Sequence, residues 1–220
     1  MLVKNKLTQI LKTLPASVKL VAVSKTKPNS VILEAYDAGQ RDFGENRIQD
    51  MVEKFEQLPK DINWHMIGDL QRNKVKYMAE FVHLIHGVDS FKTLKEINKQ
   101  AKKYDRTINC LLQLKIAEED SKFGLSKKEV SSILTSDTFK KFENINVIGL
   151  MGMATFTENE AKVRSEFKFL KKTFDEFKVL NTFNFTPTTL SMGMSGDYTI
   201  AIEEGSTMVR VGSAIFGERN

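Results

Sequence analysis

The chain has 220 residues, 41% of them hydrophobic and 28% charged, with a formal net charge of +5. It is long enough to bury one full core and too apolar to remain disordered, so a single domain over residues 1–220 is expected. No run approaches the roughly 18 apolar residues of a membrane span, and the Met1-Leu2-Val3-Lys4 start lacks a signal-peptide core, which points to a cytoplasmic protein with no membrane contact. The lone cysteine, Cys110, lies in the apolar run Ile108–Leu112 and reads as a buried, inert thiol, which leaves no disulfide framework and no zinc cluster. The lysines fall in pairs along helical faces, such as Lys102-Lys103 and Lys171-Lys172, without interleaved aromatics. Nucleic acid is therefore not an expected partner, although a basic surface favours anionic ligands.

In chain order, residues 2–13 form a helix expected to close the bottom of the fold, and residues 19–24 form a first β-rich run followed by a helical pattern over 30–38. Further strand-like runs cover 41–44, 62–67, 83–88, 108–114, 146–150, 188–191 and 207–211, with helix-sized segments between them. Eight such strands must pair in parallel through right-handed crossovers, and eight is the number at which that sheet closes. The expected fold is an α/β TIM barrel, (β/α)₈, with an extra N-terminal helix. An open doubly wound sheet is the competing architecture, and the eighth strand argues against it.

In this fold the active site lies where strands run into βα loops. Lys25 ends the first strand on the same face as Val21 and Val23, and Arg210 shares a face with Met208 and Gly212, so both can point inward. An interior lysine beside a guanidinium is expected to lose its proton more readily, as imine chemistry requires. After the seventh and eighth strands come Ser191-Met192-Gly193 and Gly212-Ser213. These hydroxyls and close-approach backbones suit a phosphate at the position where barrels usually hold one. A reactive lysine facing a phosphate grip suggests pyridoxal 5′-phosphate (PLP). Lys27 and Lys122 lie near the same mouth, Glu45 and Asp89 read as helix caps, and His83 and His86 are spaced wrongly for a metal pair, so no metal is expected.

Several segments carry a resemblance: Val21-Ala22-Val23-Ser24-Lys25-Thr26-Lys27-Pro28, Asp42-Phe43-Gly44-Glu45-Asn46, Trp64-His65-Met66-Ile67-Gly68, Ser121-Lys122-Phe123-Gly124, Leu190-Ser191-Met192-Gly193-Met194-Ser195, and residues 205–217. On these, the chain resembles the pyridoxal phosphate homeostasis family of YggS/PROSC type, whose barrel is similar to the N-terminal domain of alanine racemase. The resemblance implies that Lys25 carries PLP as a Schiff base and that Ser191, Gly212 and Ser213 hold its phosphate. It also implies that Arg210 meets the pyridine nitrogen or lies beside the phosphate, and that Asn46 lines the ring pocket. The chain departs from the family at Arg47-Ile48, where an aromatic residue and valine are common.

An arginine at the ring nitrogen would keep that nitrogen unprotonated and the ring a poor electron sink. The chain also stops at Asn220, just past the eighth strand, where the related racemase continues into a domain that supplies a second base. The expected role is therefore a non-catalytic monomer in PLP (vitamin B6) homeostasis that passes PLP to apo-enzymes. Two other readings stay open: a small PLP-dependent racemase with Tyr198 or His65 as opposing base, and a sugar-phosphate barrel enzyme without PLP.

Overall fold

The aliphatic and β-branched runs become eight strands, each short because one barrel wall needs only four to seven residues. The computed structural model describes residues 2–117, 123–180 and 182–218. The strands are β1 (Lys19–Val23), β2 (Asp42–Glu45), β3 (Asn63–Met66), β4 (Leu84–Val88), β5 (Ile108–Gln113), β6 (Ile145–Met151), β7 (Phe185–Ser191) and β8 (Met208–Val211). Each pairs in parallel with its sequence neighbour, and β8 pairs with β1, so the barrel closes in the order β1 to β8. This is the TIM barrel expected from eight βα repeats.

The helices are α1 (Leu2–Thr13), α2 (Asn29–Asp37), α3 (Ile48–Gln57), α4 (Phe91–Lys103), α5 (Lys127–Thr135), α6 (Glu160–Phe177), α7 (Tyr198–Glu203) and α8 (Ser213–Phe216). A 3₁₀ turn over Arg72–Tyr77 stands in for a helix after β3. The leading helix does not sit where the sequence suggested. Its buried face, Val3, Leu7 and Ile10, packs beside α2 and α8 in the outer layer, where the one-turn α8 leaves room.

Alternation along the strands sorts side chains into two populations. Val21, Leu84, Leu111, Met151 and Met208 pack inside the barrel, while residues such as Phe43, Trp64 and Cys110 face the helices. Cys110 is fully buried, and burial pushes its thiol far above the ordinary range, as an inert core cysteine requires.

β7 begins three residues earlier than the sequence suggested, because Pro187 reads as a break. The pairing between β6 and β7 skips from Val147↔Phe185 to Gly149↔Thr189, so the residue without an N–H falls in the unpaired stretch. Gly149 makes the irregularity possible: its φ is +152°, and a Cβ there would lie 1.7 Å from the Thr189 carbonyl oxygen. Among the described residues no helix is long and apolar enough to cross a membrane.

Candidate functional site

A cavity of about 790 Å³ opens at the C-terminal ends of the strands. Val23, Lys25 and Lys27 line it after β1, Asn46, Arg47 and Ile48 after β2, Gly68 after β3, and Gln113 at the end of β5. Thr155 and Phe156 come from the β6–α6 loop, Ser195 and Gly196 from the β7–α7 loop, and Arg210, Gly212 and Ser213 from β8 and its loop.

Lys25 sits in a tight turn. The Lys27 N–H donates to the Ser24 carbonyl at 3.0 Å, and Thr26 takes φ +64°, the left-handed region that a β-branched residue adopts only when its surroundings enforce it. A buried cluster behind the turn supplies that enforcement. The Lys54 ammonium, from α3, donates to the Ser24 carbonyl at 2.9 Å and to Glu45 Oε1 at 2.7 Å, while the Ser24 hydroxyl donates to the same carboxylate oxygen at 2.5 Å. Burial pushes the Glu45 carboxyl above its usual range, against the opposing pull of the Lys54 ammonium. Glu45 is thus not the helix cap that its position suggested: Arg47 occupies the cap position of α3 without a side-chain bond, and at α4 the cap is Ser90 rather than Asp89.

Arg210 projects from β8, the strand paired with β1, where it stands beside Val21 in register, and is 3% exposed. Its Nη1 donates to the Ser191 carbonyl at 2.9 Å and the Ser191 hydroxyl at 2.6 Å, and its Nη2 to the Gly152 carbonyl at 3.2 Å. At least two of its five N–H groups remain for a ligand. Burial lowers the guanidinium to about 10, still far enough above neutrality to keep it charged.

Of the site residues expected from sequence, Lys25, Asn46, Arg210, Gly212 and Ser213 meet in this one cavity, and Lys27 joins them with its ammonium donating to the Glu218 carbonyl at 2.8 Å. Ser191, Met192 and Gly193 do not line it. Ser191 and Met192 are fully buried, with the Ser191 hydroxyl held between Arg210 and His86. Gly193 serves packing instead: at φ +97°, a Cβ would lie 2.6 Å from that of Ala201 on α7. Just past Gly193, Ser195 and Gly196 line the cavity instead. The Ser195 hydroxyl accepts from the Gly212 N–H at 3.1 Å, tying the two loops together, and the space beside Gly196 is open. Ser121 and Lys122 lie outside the described residues.

Sequence reasoning missed three groups. Ser195 was hidden by the stronger signal of the preceding glycine turn. Lys54 and Glu166 looked like solvated helix charges, yet Glu166 is 6% exposed and takes both the Thr155 N–H and its hydroxyl at 2.7 Å, fixing the β6–α6 loop. A lysine and a glutamate set among the buried-face positions of α3 and α6 were the available signal.

The donor set has a chemical meaning. One amine, one buried guanidinium, and serine hydroxyls with exposed backbone in the loops after β7 and β8 suit a small anion that also carries a carbonyl group. Gly68 and Gly212 permit the close backbone approach that shapes the cavity, since a Cβ on Gly68 would lie 2.3 Å from the Asn46 carbonyl oxygen.

Comparisons with known proteins identify the family and the fold. Residues 3–220 match the family model for the alanine racemase N-terminal domain. The chain is 39% identical over 202 residues to the pyridoxal phosphate homeostasis protein of Aquifex aeolicus, covering 91% of this chain and 87% of that one. It is 41% identical over 210 residues to the protein of the same name from Haemophilus influenzae, covering 93% and 86%. PipY of Synechococcus elongatus with PLP bound is 33% identical, with a TM-score of 0.88 over 98% of this chain and 100% of that one; its PLP-free structure gives 34% and 0.92 over the same shares. An alanine racemase from Clostridium difficile, 16% identical, superposes with a TM-score of 0.77 over 99% of this chain and 57% of that one and shares the barrel fold. The chain therefore belongs to the pyridoxal phosphate homeostasis family, within the wider group built on the alanine racemase N-terminal domain.

Proposed function

We propose that this protein holds PLP on Lys25 as a Schiff base and acts in PLP homeostasis without catalytic turnover. The carrying observation is that Lys25 and Arg210 line one cavity with Asn46, Ser195, Gly212 and Ser213. When bound, PLP supplies an aldehyde whose carbon forms a C=N bond with a lysine amine as water leaves. Lys25 presents that amine from a turn fixed by Lys54 and Glu45. Ser195 and Ser213 offer hydroxyls, and Ser213 its backbone N–H, to the phosphate; Gly212, whose N–H is held by Ser195, and Gly196 leave room beside them. Asn46 bounds the ring, and Arg210 keeps an obligate cationic donor toward its nitrogen, which disfavours a proton there and so disfavours carbanion chemistry. The basic side chains of Lys27 and Lys74 at the mouth favour the approach of a dianion.

The positions of the racemase candidates support the non-catalytic reading. Proton abstraction and return on opposite faces needs a second base in the cavity. Among the described residues, neither Tyr198 nor His65 lines it, and both His65 ring nitrogens are engaged inside the barrel. A monomeric, cytoplasmic carrier that hands PLP to apo-enzymes belongs to the same proposal, read by gel filtration and by reactivation of a PLP-dependent apo-enzyme.

Purified protein given PLP should turn yellow and leave D- and L-amino acids unconverted. Turnover of any amino acid that disappears in Lys25→Ala would make it a racemase-type enzyme instead. Protein that stays colourless with PLP would favour a sugar-phosphate ligand.

A further inference from the structure

Beneath the cavity, five side chains from five strands join into one hydrogen-bonded chain across the barrel interior. Arg210 Nη1 meets Ser191 Oγ at 2.6 Å, and Ser191 Oγ lies 3.1 Å from His86 Nδ1. His86 Nε2 lies 2.9 Å from His65 Nδ1, and His65 Nε2 lies 2.9 Å from Asp42 Oδ1. Arg210, Ser191, His86 and His65 are buried, with His65 and His86 fully so. Asp42 opens β2, at the end of the barrel opposite the cavity.

The two ends fix every proton between them. Arginine only donates, and an ionised carboxylate only accepts. Burial lowers both histidines below their ordinary value, so each carries one ring proton at neutral pH. Burial pushes the Asp42 carboxyl up, but the His65 hydrogen bond and the nearby Lys19 more than offset it, and it stays ionised. His65 must then donate from Nε2 and accept at Nδ1; His86 likewise donates from Nε2, and the Ser191 proton goes to His86 Nδ1. All four bonds point from Arg210 toward Asp42. The Asp197 carboxylate acts on the buried guanidinium through space, and the aligned chain, ending on a second carboxylate, adds hydrogen bonds that hold it from below.

We propose that Asp42, His65 and His86 are positioning residues that hold the Arg210 guanidinium from the far side of the barrel, and so tune its grip on the ring nitrogen of PLP, although none of the three lines the cavity. The identity of the ring nitrogen rests on the PLP reading; the proton order does not. One corollary is that Ser191 has no proton left for a phosphate, which agrees with its burial.

Asp42, His65 and His83 also bring three possible metal-ligand atoms within 4.8 Å of one another. The carboxylate oxygen, however, already accepts from His65 and from Asn63 Nδ2 at 3.4 Å and lies 3.5 Å from the Lys19 ammonium, a cation-rich setting that favours the hydrogen-bonded chain over a metal ion.

The test has two arms. In ligand-free protein labelled with ¹⁵N-histidine, His65 and His86 should both appear at neutral pH as neutral imidazoles protonated on Nε2. A cationic ring, an Nδ1–H tautomer at His65, or Zn²⁺ binding at His65 Nε2 would overturn the proposal. In PLP titrations, Asp42→Asn and His86→Leu should each bind roughly tenfold more weakly with a displaced absorption band, the loss expected for weakening one charged hydrogen bond. His83→Asn, beside the chain but outside it, should behave as wild type. Asp42→Asn keeps the side-chain volume, so it remains informative if His86→Leu does not fold; unchanged affinity and spectrum in Asp42→Asn overturns the proposal. Wild-type protein that takes up no PLP would instead defeat the functional reading, with the proton order still decided by the first arm.

Discussion

The Lys54 ammonium lies 2.9 Å from the Ser24 carbonyl oxygen, and Ser24 immediately precedes Lys25. A charge on α3 thus grips the backbone from which the candidate Schiff-base lysine projects. The same ammonium is the only cation within ion-pair distance of the fully buried Glu45 carboxylate among the described residues. Lys54→Met would strand that carboxylate, and breaking one side of a buried pair typically destabilises by about 3–5 kcal/mol. Urea unfolding should show a loss of this size, with much of it recovered when Glu45→Gln is added. A loss near zero would mean that the pair contributes nothing to the turn.

Thr26 offers a converse test. Its φ of +64° is unfavourable for a β-branched residue, whereas glycine adopts that region freely. Relief of strain exceeds the extra entropy of a glycine in the unfolded chain, so Thr26→Gly should stabilise the fold by about 1 kcal/mol. Equilibrium unfolding measures this. PLP uptake should be slower or weaker in the variant, because the turn that presents Lys25 is less restricted.

Acid should destabilise the barrel through the buried histidines. His65 and His86 have folded-state pKa values lowered by burial, while in the unfolded chain both titrate near their ordinary value of about 6.5. As pH falls below that value the unfolded state binds protons that the folded state refuses, so stability is full above it and declines toward the depressed folded values. These two groups contribute up to about 2.7 kcal/mol per pH unit to the slope, and His83, lowered by the same cause, adds to it. Chemical unfolding between pH 7 and 5 should show the decline, and His86→Leu should reduce the slope by up to one proton.

Periodicity made the barrel legible because every strand alternates one face toward the interior and one toward a helix, and the eight runs could be placed to within a few residues. It failed where local chemistry misleads. Pro187 hid the start of β7, since only the partner strand's bulge at Gly149 shows how a residue without an N–H is tolerated there. Lys25 and Arg210 were visible because they continue inward-facing strand positions. Ser191 reads as a phosphate ligand because a serine before glycine resembles a phosphate turn, yet its hydroxyl lies one layer deeper, between Arg210 and His86. Lys54, Glu166 and the His65–His86 contact depend on pairs far apart in the chain, which no local pattern contains.

The most direct measurement is borohydride reduction of the PLP-treated protein followed by proteolysis and peptide mass mapping. We expect a single pyridoxyl-phosphate adduct on the peptide containing Lys25, and none in Lys25→Ala. An adduct confined to Lys27, Lys74 or another lysine, or no adduct in the wild-type protein, would contradict the assignment of Lys25 as the residue that holds PLP.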